Sequence, residues 1–171
     1  MVVIHKMIAI FGLLKQEPLL MGTMTINMNY YPPCPNPSIT MGVRRHCDGS
    51  CITLLFQDDT GGLYFRGNKG DNWIHVNPIK GALEVNIVVL LQIMSNDRYN
   101  SIEHCIAVDS SKARIFVPQF MNANLDSVIG PFQQMLKDGK KPVYKHVLHS
   151  NYWDYFYKRP SGKASLDFVK I

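Results

Sequence analysis

Three side chains of this sequence could hold a metal ion together: His46, Asp48 and His104. His46 and Asp48 lie two residues apart in a segment predicted as a strand, so both side chains point to one face. His104 begins another predicted strand 58 residues after His46, where a rolled sheet would bring it opposite the first pair. Two imidazoles and one carboxylate on one side of an ion leave its other positions open, which suits Fe(II) and reactions with dioxygen.

Other interpretations of this triad, His46, Asp48 and His104, stay open at this point. A His-x-Asp pair alone is more often incidental than a ligand pair, and it is His104 that strengthens the metal hypothesis. A zinc site built from His46, Cys47, Cys51 and His104 is the other metal option. Cys47 opposes it, because a residue between His46 and Asp48 on a strand points to the opposite face.

Arg114 lies ten residues beyond His104 and is a candidate anchor for an anionic co-substrate. Its planar guanidinium can bind a carboxylate in bidentate fashion at the bottom of a pocket, as a keto acid would need. A surface ion pair is the alternative, because most arginines are exposed. The other histidines have no ligand spacing relative to the triad: His5, His75, His146 and His149.

Short strands must position these residues. From residue 23 the segment TMTINMNYY alternates with period two and predicts a strand, which the Pro-rich PPCPNP ends. Turn-forming segments separate further predicted strands at 43–47, 52–57, 63–66, 72–76, 82–94, 103–108 and 113–120. Many short strands without helices between them indicate a mainly β fold, a double-stranded β-helix of the jelly-roll type.

Helices are predicted at both ends of the chain. The apolar start MVVIHKMIAIFGLL lacks the basic region and cleavage site of a signal peptide, so we interpret it as a helix packed on the domain. PFQQMLKDG and NYWDYFYKRP predict C-terminal helices, whose aromatic residues we interpret as packing. The chain then divides into an N-terminal helical remnant at 1–20, a jelly-roll core at 21–124 and a C-terminal helical extension at 125–171.

Composition indicates one compact domain. A chain of 171 residues with 46% hydrophobic content can bury one sizeable core. The net charge of +5 is spread over the chain in short basic pairs, which does not favour nucleic-acid binding. The four cysteines form neither a C-x-x-C pair nor a dense disulfide pattern, so reduced thiols are expected. We therefore expect a cytoplasmic monomer with no nucleic-acid or membrane partner.

Several motifs strengthen the metal hypothesis in combination. They are NYYPPCPNP at 29–37, RHCDGS at 45–50, LLFQDDTGGL at 54–63, WIHVNPIKGALEVNI at 73–87, LQIMSNDRYNSIEH at 91–104 and KPVYKHVL at 141–148. In order and spacing they resemble the plant 2-oxoglutarate/Fe(II)-dependent dioxygenases, and the resemblance covers the chain from Gly22 to its end. Among the branches of that family, the chain is most similar to the feruloyl-CoA ortho-hydroxylases, which start coumarin (scopoletin) formation.

The resemblance implies a role for each residue that matches the family's motifs. His46, Asp48 and His104 correspond to the ligands of Fe(II), and Arg114 to the anchor for the distal carboxylate of 2-oxoglutarate. Tyr31 matches a tyrosine that contacts the same co-substrate. The implied co-substrates are 2-oxoglutarate and O2, with ascorbate as a reductant.

The resemblance also implies a substrate. Phe120 lies where the family often places an aromatic residue beside the substrate, although core packing is the alternative. The implied activity is hydroxylation of a small aromatic metabolite of plant secondary metabolism, such as a hydroxycinnamoyl-CoA thioester.

This sequence departs from the family at the arginine anchor. The family writes Arg-x-Ser, whereas this chain has Arg114, Ile115 and Phe116. Phe116 shares a face with Arg114 and so belongs to the expected pocket. Losing the serine removes a hydrogen bond of about 0.5–1.5 kcal/mol, and a clash would add to the loss. We predict co-substrate binding weaker by about tenfold.

Two further departures concern the pocket wall. Val88 and Val89 stand where the family usually has Gly-Asp, a change expected to alter a turn. Family members also carry a long N-terminal region that helps wall the pocket, and here only about twenty residues precede the part that resembles them. Three hypotheses follow: a diverged active oxygenase, an impaired shortened copy that keeps the fold and metal site, or a non-enzymatic jelly-roll module that binds a small molecule.

Overall fold

A computed structural model describes residues 22–67, 72–137, 139–158 and 163–171. The strands are β1 (Thr23–Ile26), β2 (Asn29–Tyr31), β3 (Met41–His46), β4 (Ile52–Gln57), β5 (Leu63–Arg66), β6 (Trp73–Val76), β7 (Glu84–Ile87), β8 (His104–Ala107), β9 (Arg114–Asn122), β10 (Val128–Ile129) and β11 (Val147–Leu148). The helices are α1 (Val89–Met94) and α2 (His149–Lys158), with 3-10 turns at Gln133–Met135 and Lys163–Leu166. The predicted N-terminal helix at 1–20 lies outside the described residues.

Two antiparallel sheets carry the fold. One has the order β1-β9-β4-β7, with β2 also pairing with β9, and the other has the order β3-β8-β5-β6. A separate pair joins β10 to β11. One cavity is lined by side chains from both sheets, so the sheets face each other across it. The predicted mainly β architecture is confirmed.

Strand β9 runs through the middle of the first sheet and alternates between the interior and the outside. Its even-numbered residues, from Arg114 through Phe116 to Asn122, face inward, whereas Ile115 is exposed. Phe116 lies opposite Asn29 of β2. Further along, Phe120 lies opposite residues of β1 and β4. We call the inward-facing residues of β9 the inner row.

The apolar core has two parts. The larger part joins α1 and the C-terminal region through fully buried side chains such as Leu90, Ile93 and Tyr152. A smaller cluster between the sheets consists of Leu55, Leu63, Ile106 and Phe116. The smaller cluster matters for the site, because Phe116 belongs to the inner row.

The strand predicted at 82–94 is wrong in its second half. Strand β7 ends at Ile87, and all six residues of α1 are buried. A continuous apolar run has the same pattern in a buried strand and a buried helix, so periodicity could not separate them. Val88 has φ −124° and ψ −179°, extended backbone that any residue adopts, so the missing glycine does not require a different turn here.

The C-terminal helices agree with prediction in part. The segment NYWDYFYKRP was expected to be helical, and α2 begins slightly earlier, at His149. PFQQMLKDG forms only the 3-10 turn Gln133–Met135. Within the part of the chain that the structure describes, no disulfide links any of the four cysteines. Among the described helices, none combines the length and the apolar character that crossing a membrane requires.

Candidate metal centre

The structure brings His46, Asp48 and His104 together. His46 ends β3 and His104 begins β8, and the two are register partners with ring centroids 4.3 Å apart. Asp48 lies in the loop after β3 rather than on the strand, and its Oδ1 is 3.2 Å from His46 Nε2 and 3.6 Å from His104 Nε2. One ligand atom from each residue lies within 4.8 Å of the other two.

Backbone carbonyls orient both imidazoles. The Nδ1 of His46 is 2.7 Å from the carbonyl oxygen of Arg44, and the Nδ1 of His104 is 3.3 Å from that of Ile102. Because a carbonyl only accepts hydrogen bonds, each Nδ1 carries the hydrogen and donates it. In the neutral imidazoles the lone pairs of both Nε2 atoms therefore remain for a metal ion.

Thr53 fixes the carboxylate of Asp48. The Thr53 hydroxyl donates to Asp48 Oδ2 at 2.7 Å, and the Ser50 hydroxyl lies 3.3 Å from that of Thr53. With Oδ2 engaged, Oδ1 faces the two imidazoles. Sequence reasoning missed Thr53, although an inward-facing threonine on β4 so soon after Asp48 was the available signal.

The charges of the triad suit a divalent cation. Burial alone would raise the pKa of Asp48, but hydrogen bonding and charge from the protonated forms of His46 and His104, together with the Thr53 hydroxyl, lower it. Burial lowers the pKa of His104 despite the opposing charge of Asp48. For His46, burial would lower the pKa, yet the bond and charge of Asp48 raise it. An anionic carboxylate thus lies beside imidazoles that need only be neutral to bind a metal.

The donor set fits Fe(II) better than structural zinc. Two imidazole nitrogens and one carboxylate oxygen occupy one side of the common point, and cavities adjoin the other side. Cys47 and Cys51 are buried in the larger core cluster and do not belong to the ligand group. The four-ligand zinc alternative therefore does not fit the arrangement.

Two cavities adjoin the triad. The triad cavity, of about 190 Å³, touches all three ligands, and the rest of its lining is mostly apolar, with Asn29 and Asn86 as polar side chains. The outer cavity, of about 410 Å³, extends from His46 and Asp48 to helix α2. Phe120 lines both cavities, which places it beside any molecule that reaches the metal.

Aromatic side chains of α2 form one wall of the outer cavity. Trp153, Phe156 and Tyr157 line it, and successive rings along this helix contact one another. The sequence interpretation of these residues as packing alone is therefore incomplete. Their spacing of three and four residues, which places side chains on one helix face, was the signal for a shared surface.

Arg114 is buried with unsatisfied donors. The residue is only 1% exposed, and its Nη1 donates to the carbonyl oxygen of Ala107. Its Nε and Nη2 have no hydrogen-bond partner among the residues that the structure describes. Gly62, at φ +94°, leaves the space that the guanidinium occupies, since a Cβ there would overlap Nη1. A buried cation with free donors is suited to an anionic partner.

Phe116 lies between Arg114 and the cavity of the triad. The Phe116 ring centroid is 4.1 Å from the guanidinium carbon, and the Tyr31 centroid is 5.8 Å from it. Phe116 lines the triad cavity, whereas Arg114 and Tyr31 do not. The structure thus places Arg114 close to Tyr31 but keeps both outside the cavity that touches the triad.

Comparisons with known proteins agree with this arrangement. A family model described as the 2OG-Fe(II) oxygenase superfamily matches residues 22–123. A feruloyl-CoA ortho-hydroxylase of Ipomoea batatas is 51% identical over 157 residues, which are 91% of this chain and 44% of that protein. A bifunctional coumaroyl-CoA and feruloyl-CoA ortho-hydroxylase of Ruta graveolens is 49% identical over 157 residues, or 90% of this chain and 43% of that protein. The chain therefore spans less than half the length of these curated relatives.

Solved structures share the fold. The crystal structure of JOX2 in complex with 2OG, Fe and JA is similar with a TM-score of 0.82 and 32% identity, covering 92% of this chain and 48% of that one. A rice dioxygenase for auxin oxidation has a TM-score of 0.77 at 21% identity, covering 85% and 51% of the two chains, and shows the fold alone. The predicted jelly roll is confirmed.

Proposed function

The chain belongs to the 2OG-Fe(II) oxygenase superfamily, and we propose that it is an Fe(II)- and 2-oxo-acid-dependent oxygenase that hydroxylates a small aromatic plant metabolite. A hydroxycinnamoyl-CoA thioester is the proposed substrate class, on the strength of relatives named as feruloyl-CoA and coumaroyl-CoA ortho-hydroxylases. The observation that carries the proposal is the open triad of two imidazoles and one carboxylate beside an aromatic-walled cavity.

Each group of residues at this site would have its own role in the reaction. Fe(II) bound by the triad would supply the activation of dioxygen, together with a 2-oxo acid. Thr53 holds Asp48 so that one carboxylate oxygen faces the imidazoles. The carbonyls of Arg44 and Ile102 accept from Nδ1, so that the Nε2 atoms of the neutral imidazoles face the ion. The apolar wall of the triad cavity excludes water from the reacting atoms.

The outer cavity supports an aromatic substrate. Its volume of about 410 Å³ lies within the range of small-molecule sites, and Phe120, Trp153 and Phe156 offer ring faces and edges to a planar substrate. Tyr157 is 67% exposed and also borders the cavity. A substrate ring packed between β9 and α2 would lie directly beside His46 and Asp48.

The first experiment tests metal binding. Anaerobic titration with Fe(II), followed by a 2-oxo acid, should produce the weak visible absorption band of a chelated 2-oxo acid. His104→Ala should abolish that band because one of three ligands is lost. His146→Ala is the matched control, since His146 is exposed and outside the ligand group. An unchanged iron affinity in His104→Ala would remove this residue from the site.

The second experiment tests the substrate class. Under air, feruloyl-CoA and p-coumaroyl-CoA are incubated with the Fe(II)-loaded protein and a 2-oxo acid, and chromatography follows the ortho-hydroxylated product. Product from the wild type but not from His104→Ala is expected. Decarboxylation of the 2-oxo acid without product would keep the oxygenase assignment and reject these two substrates.

An impaired oxygenase that keeps the metal site is the second candidate, and the position of Phe116 over Arg114 favours it. Such a protein would bind Fe(II) normally yet turn over 2-oxoglutarate poorly. The cytoplasmic location and the monomeric state stay predictions from the sequence.

A further inference from the structure

We propose that Phe116 closes the triad cavity towards Arg114, so that the site binds a 2-oxo acid with a short apolar tail in preference to 2-oxoglutarate. The inference rests on the proposed function, because the 2-oxo acid is its co-substrate. The inference is about the end of the 2-oxo acid that lies away from the triad. The triad itself would hold the ion that binds the 2-oxo end.

The position of the Phe116 ring is the first support. Phe116 is 1% exposed and neighbours Arg114 on the inner row of β9. Its ring centroid lies 4.1 Å from the guanidinium carbon, so the ring covers one face of the cation. Because the triad cavity is lined by Phe116 and not by Arg114, a molecule in that cavity meets the ring before the charge.

Distance along the strand gives the second support. Arg114 and Phe116 are two positions apart, about 7 Å at the usual rise of a strand. A dicarboxylate that uses its 2-oxo end at the triad must carry its second carboxylate past Phe116 to reach Arg114. The ring occupies that path.

The chemistry of the cavity end gives the third support. Around Phe116 the wall is formed mainly by the aliphatic residues Val43, Leu55, Leu63 and Ile106, and Asn29, the register partner of Phe116, adds one neutral amide. The aliphatic side chains offer no hydrogen bond to a carboxylate and the amide of Asn29 offers no positive charge, so burying a carboxylate here without a cation beside it is unfavourable. The same wall favours a small aliphatic tail, which gains contact without needing a charged partner.

The ring is held in place from several sides. It packs edge-to-face on Tyr31 with centroids 6.0 Å apart, and it belongs to the buried cluster with Leu55, Leu63 and Ile106. Swinging the ring aside would break these contacts and leave a void between the sheets. The closure is therefore a property of the packed core.

The test compares two acids on the unaltered protein. The Fe(II)-loaded chain is titrated anaerobically with 2-oxobutyrate and with 2-oxoglutarate, and binding is read from the visible absorption band and from the shift in melting temperature. We expect 2-oxobutyrate to bind more tightly by about tenfold or more, since 2-oxoglutarate must bury a carboxylate that has no cation beside it. Equal or tighter binding of 2-oxoglutarate would overturn the inference.

Substitution of the ring gives the converse test. Phe116→Ser should raise the affinity for 2-oxoglutarate by about tenfold or more, because the carboxylate can then reach Arg114. Adding Arg114→Met to that variant should remove the gain. Ile115→Ser, an exposed neighbour on the same strand, is the matched control and should change neither affinity. An unchanged affinity in folded Phe116→Ser would contradict the closure.

The experiments distinguish three outcomes: a variant that does not fold, a protein without the proposed function, and a protein in which Phe116 does not close the cavity. If Phe116→Ser does not fold, Phe116→Leu opens part of the same path, and the two-acid comparison on the wild type needs no variant. Absence of Fe(II) binding and of any absorption band with either acid would reject the proposed function. Normal Fe(II) binding with tight 2-oxoglutarate binding would reject only the role of Phe116.

Discussion

The carboxylate of Asp48 depends on one hydroxyl for its orientation. Thr53 Oγ1 donates to Oδ2 at 2.7 Å, and both residues are buried. Residues that orient a metal ligand typically change metal affinity by 10–100-fold when they are removed, which is about the effect expected here. Thr53 is thus a positioning residue rather than a ligand.

Replacing Thr53 tests this role. Thr53→Val removes the donor while keeping the branched shape, so the dissociation constant for Fe(II) should rise by about tenfold or more. Thr53→Ser keeps the hydroxyl and is the matched control. Anaerobic metal titration measures both. If the Thr53→Val and Thr53→Ser variants bind Fe(II) equally well, the hydroxyl does not orient Asp48.

Glu84 offers a second test, through the pH dependence of stability. Its Oε1 accepts from Gln57 Nε2 at 2.8 Å, while Glu84 Oε2 and Gln57 Oε1 are buried acceptors without a donor among the residues described. Burial raises the pKa of Glu84 above its ordinary value of 4.5, although the bond from Gln57 opposes this. The folded state therefore favours the protonated acid, and stability falls as pH rises from about 4.5 through the folded pKa.

Glu84→Gln should remove that fall. An amide can donate to Gln57 Oε1 and satisfy one buried acceptor, so we expect a gain of about 1 kcal/mol at neutral pH and a smaller gain at pH 4. Urea unfolding at several pH values measures the difference between variant and wild type. Asp59→Asn, at an exposed position, should leave the pH profile unchanged. A gain that does not vary with pH would exclude titration of Glu84 as the cause.

Individual residues were predictable where one motif or spacing carried the information. Alternation along a strand placed Phe116 on the face of Arg114, and the structure has both on the inner row. Thr53 was not predictable in the same way, because its role depends on how the loop after His46 folds back over β4. The unmet donors of Arg114 likewise depend on packing that no local pattern records.

Helix α2 packs closely against the loop that carries Asp48, and the contact is at Gly49. A Cβ on Gly49 would lie 2.8 Å from Phe156 Cε1, which is closer than such carbons approach in proteins. Gly49 therefore permits the contact between the loop that carries Asp48 and the aromatic face of α2. The outer cavity lies beside this contact.

Gly49→Ala should push α2 away from the loop. Overpacking of this kind typically costs about 1–3 kcal/mol of unfolding free energy, and we expect a loss in that range. In a Phe156→Leu background the smaller side chain leaves room, so the same substitution should cost less. Urea unfolding of the four proteins in this cycle gives the coupling energy. Purely additive effects on the unfolding free energy would show that an alanine at position 49 does not clash with Phe156.

Strands were easier to predict than the connections between them. Period-two alternation bounded by turn residues located β4 (Ile52–Gln57) and β5 (Leu63–Arg66) at the positions that the structure gives. The apolar run after Ile87 was assigned to a strand although it forms α1. Burial on all sides removes the alternation on which such an assignment depends.

The triad joins the two sheets. His46 and His104 belong to the sheet with β3 and β8, whereas Thr53, which holds Asp48, belongs to β4 of the other sheet. The sequence indicated that these residues could converge, but not which strands would be neighbours. Strand order follows from contacts between distant segments, which a single sequence does not display.

Metal binding should therefore stabilise the whole fold. At a free Fe(II) concentration of about 100 times the dissociation constant, binding adds about 2.7 kcal/mol to the unfolding free energy. For a chain of this size the melting temperature should rise by about 5–10 °C. Anaerobic thermal unfolding with Fe(II), and again after excess chelator, measures the effect. His104→Ala should show no rise, and a rise in that variant would place the ion elsewhere.

The inner row of β9 also has a consequence for how selectivity can evolve. Phe116 and Phe120 are four residues apart on one strand, about 13 Å at the usual rise, and only Phe120 reaches the outer cavity. Substitutions this far apart usually add within about 0.5 kcal/mol. Substitutions at Phe116 can therefore change which 2-oxo acid binds while binding of the aromatic substrate is kept. Substitutions at Phe120 can change the aromatic substrate independently, so the two specificities can evolve in either order.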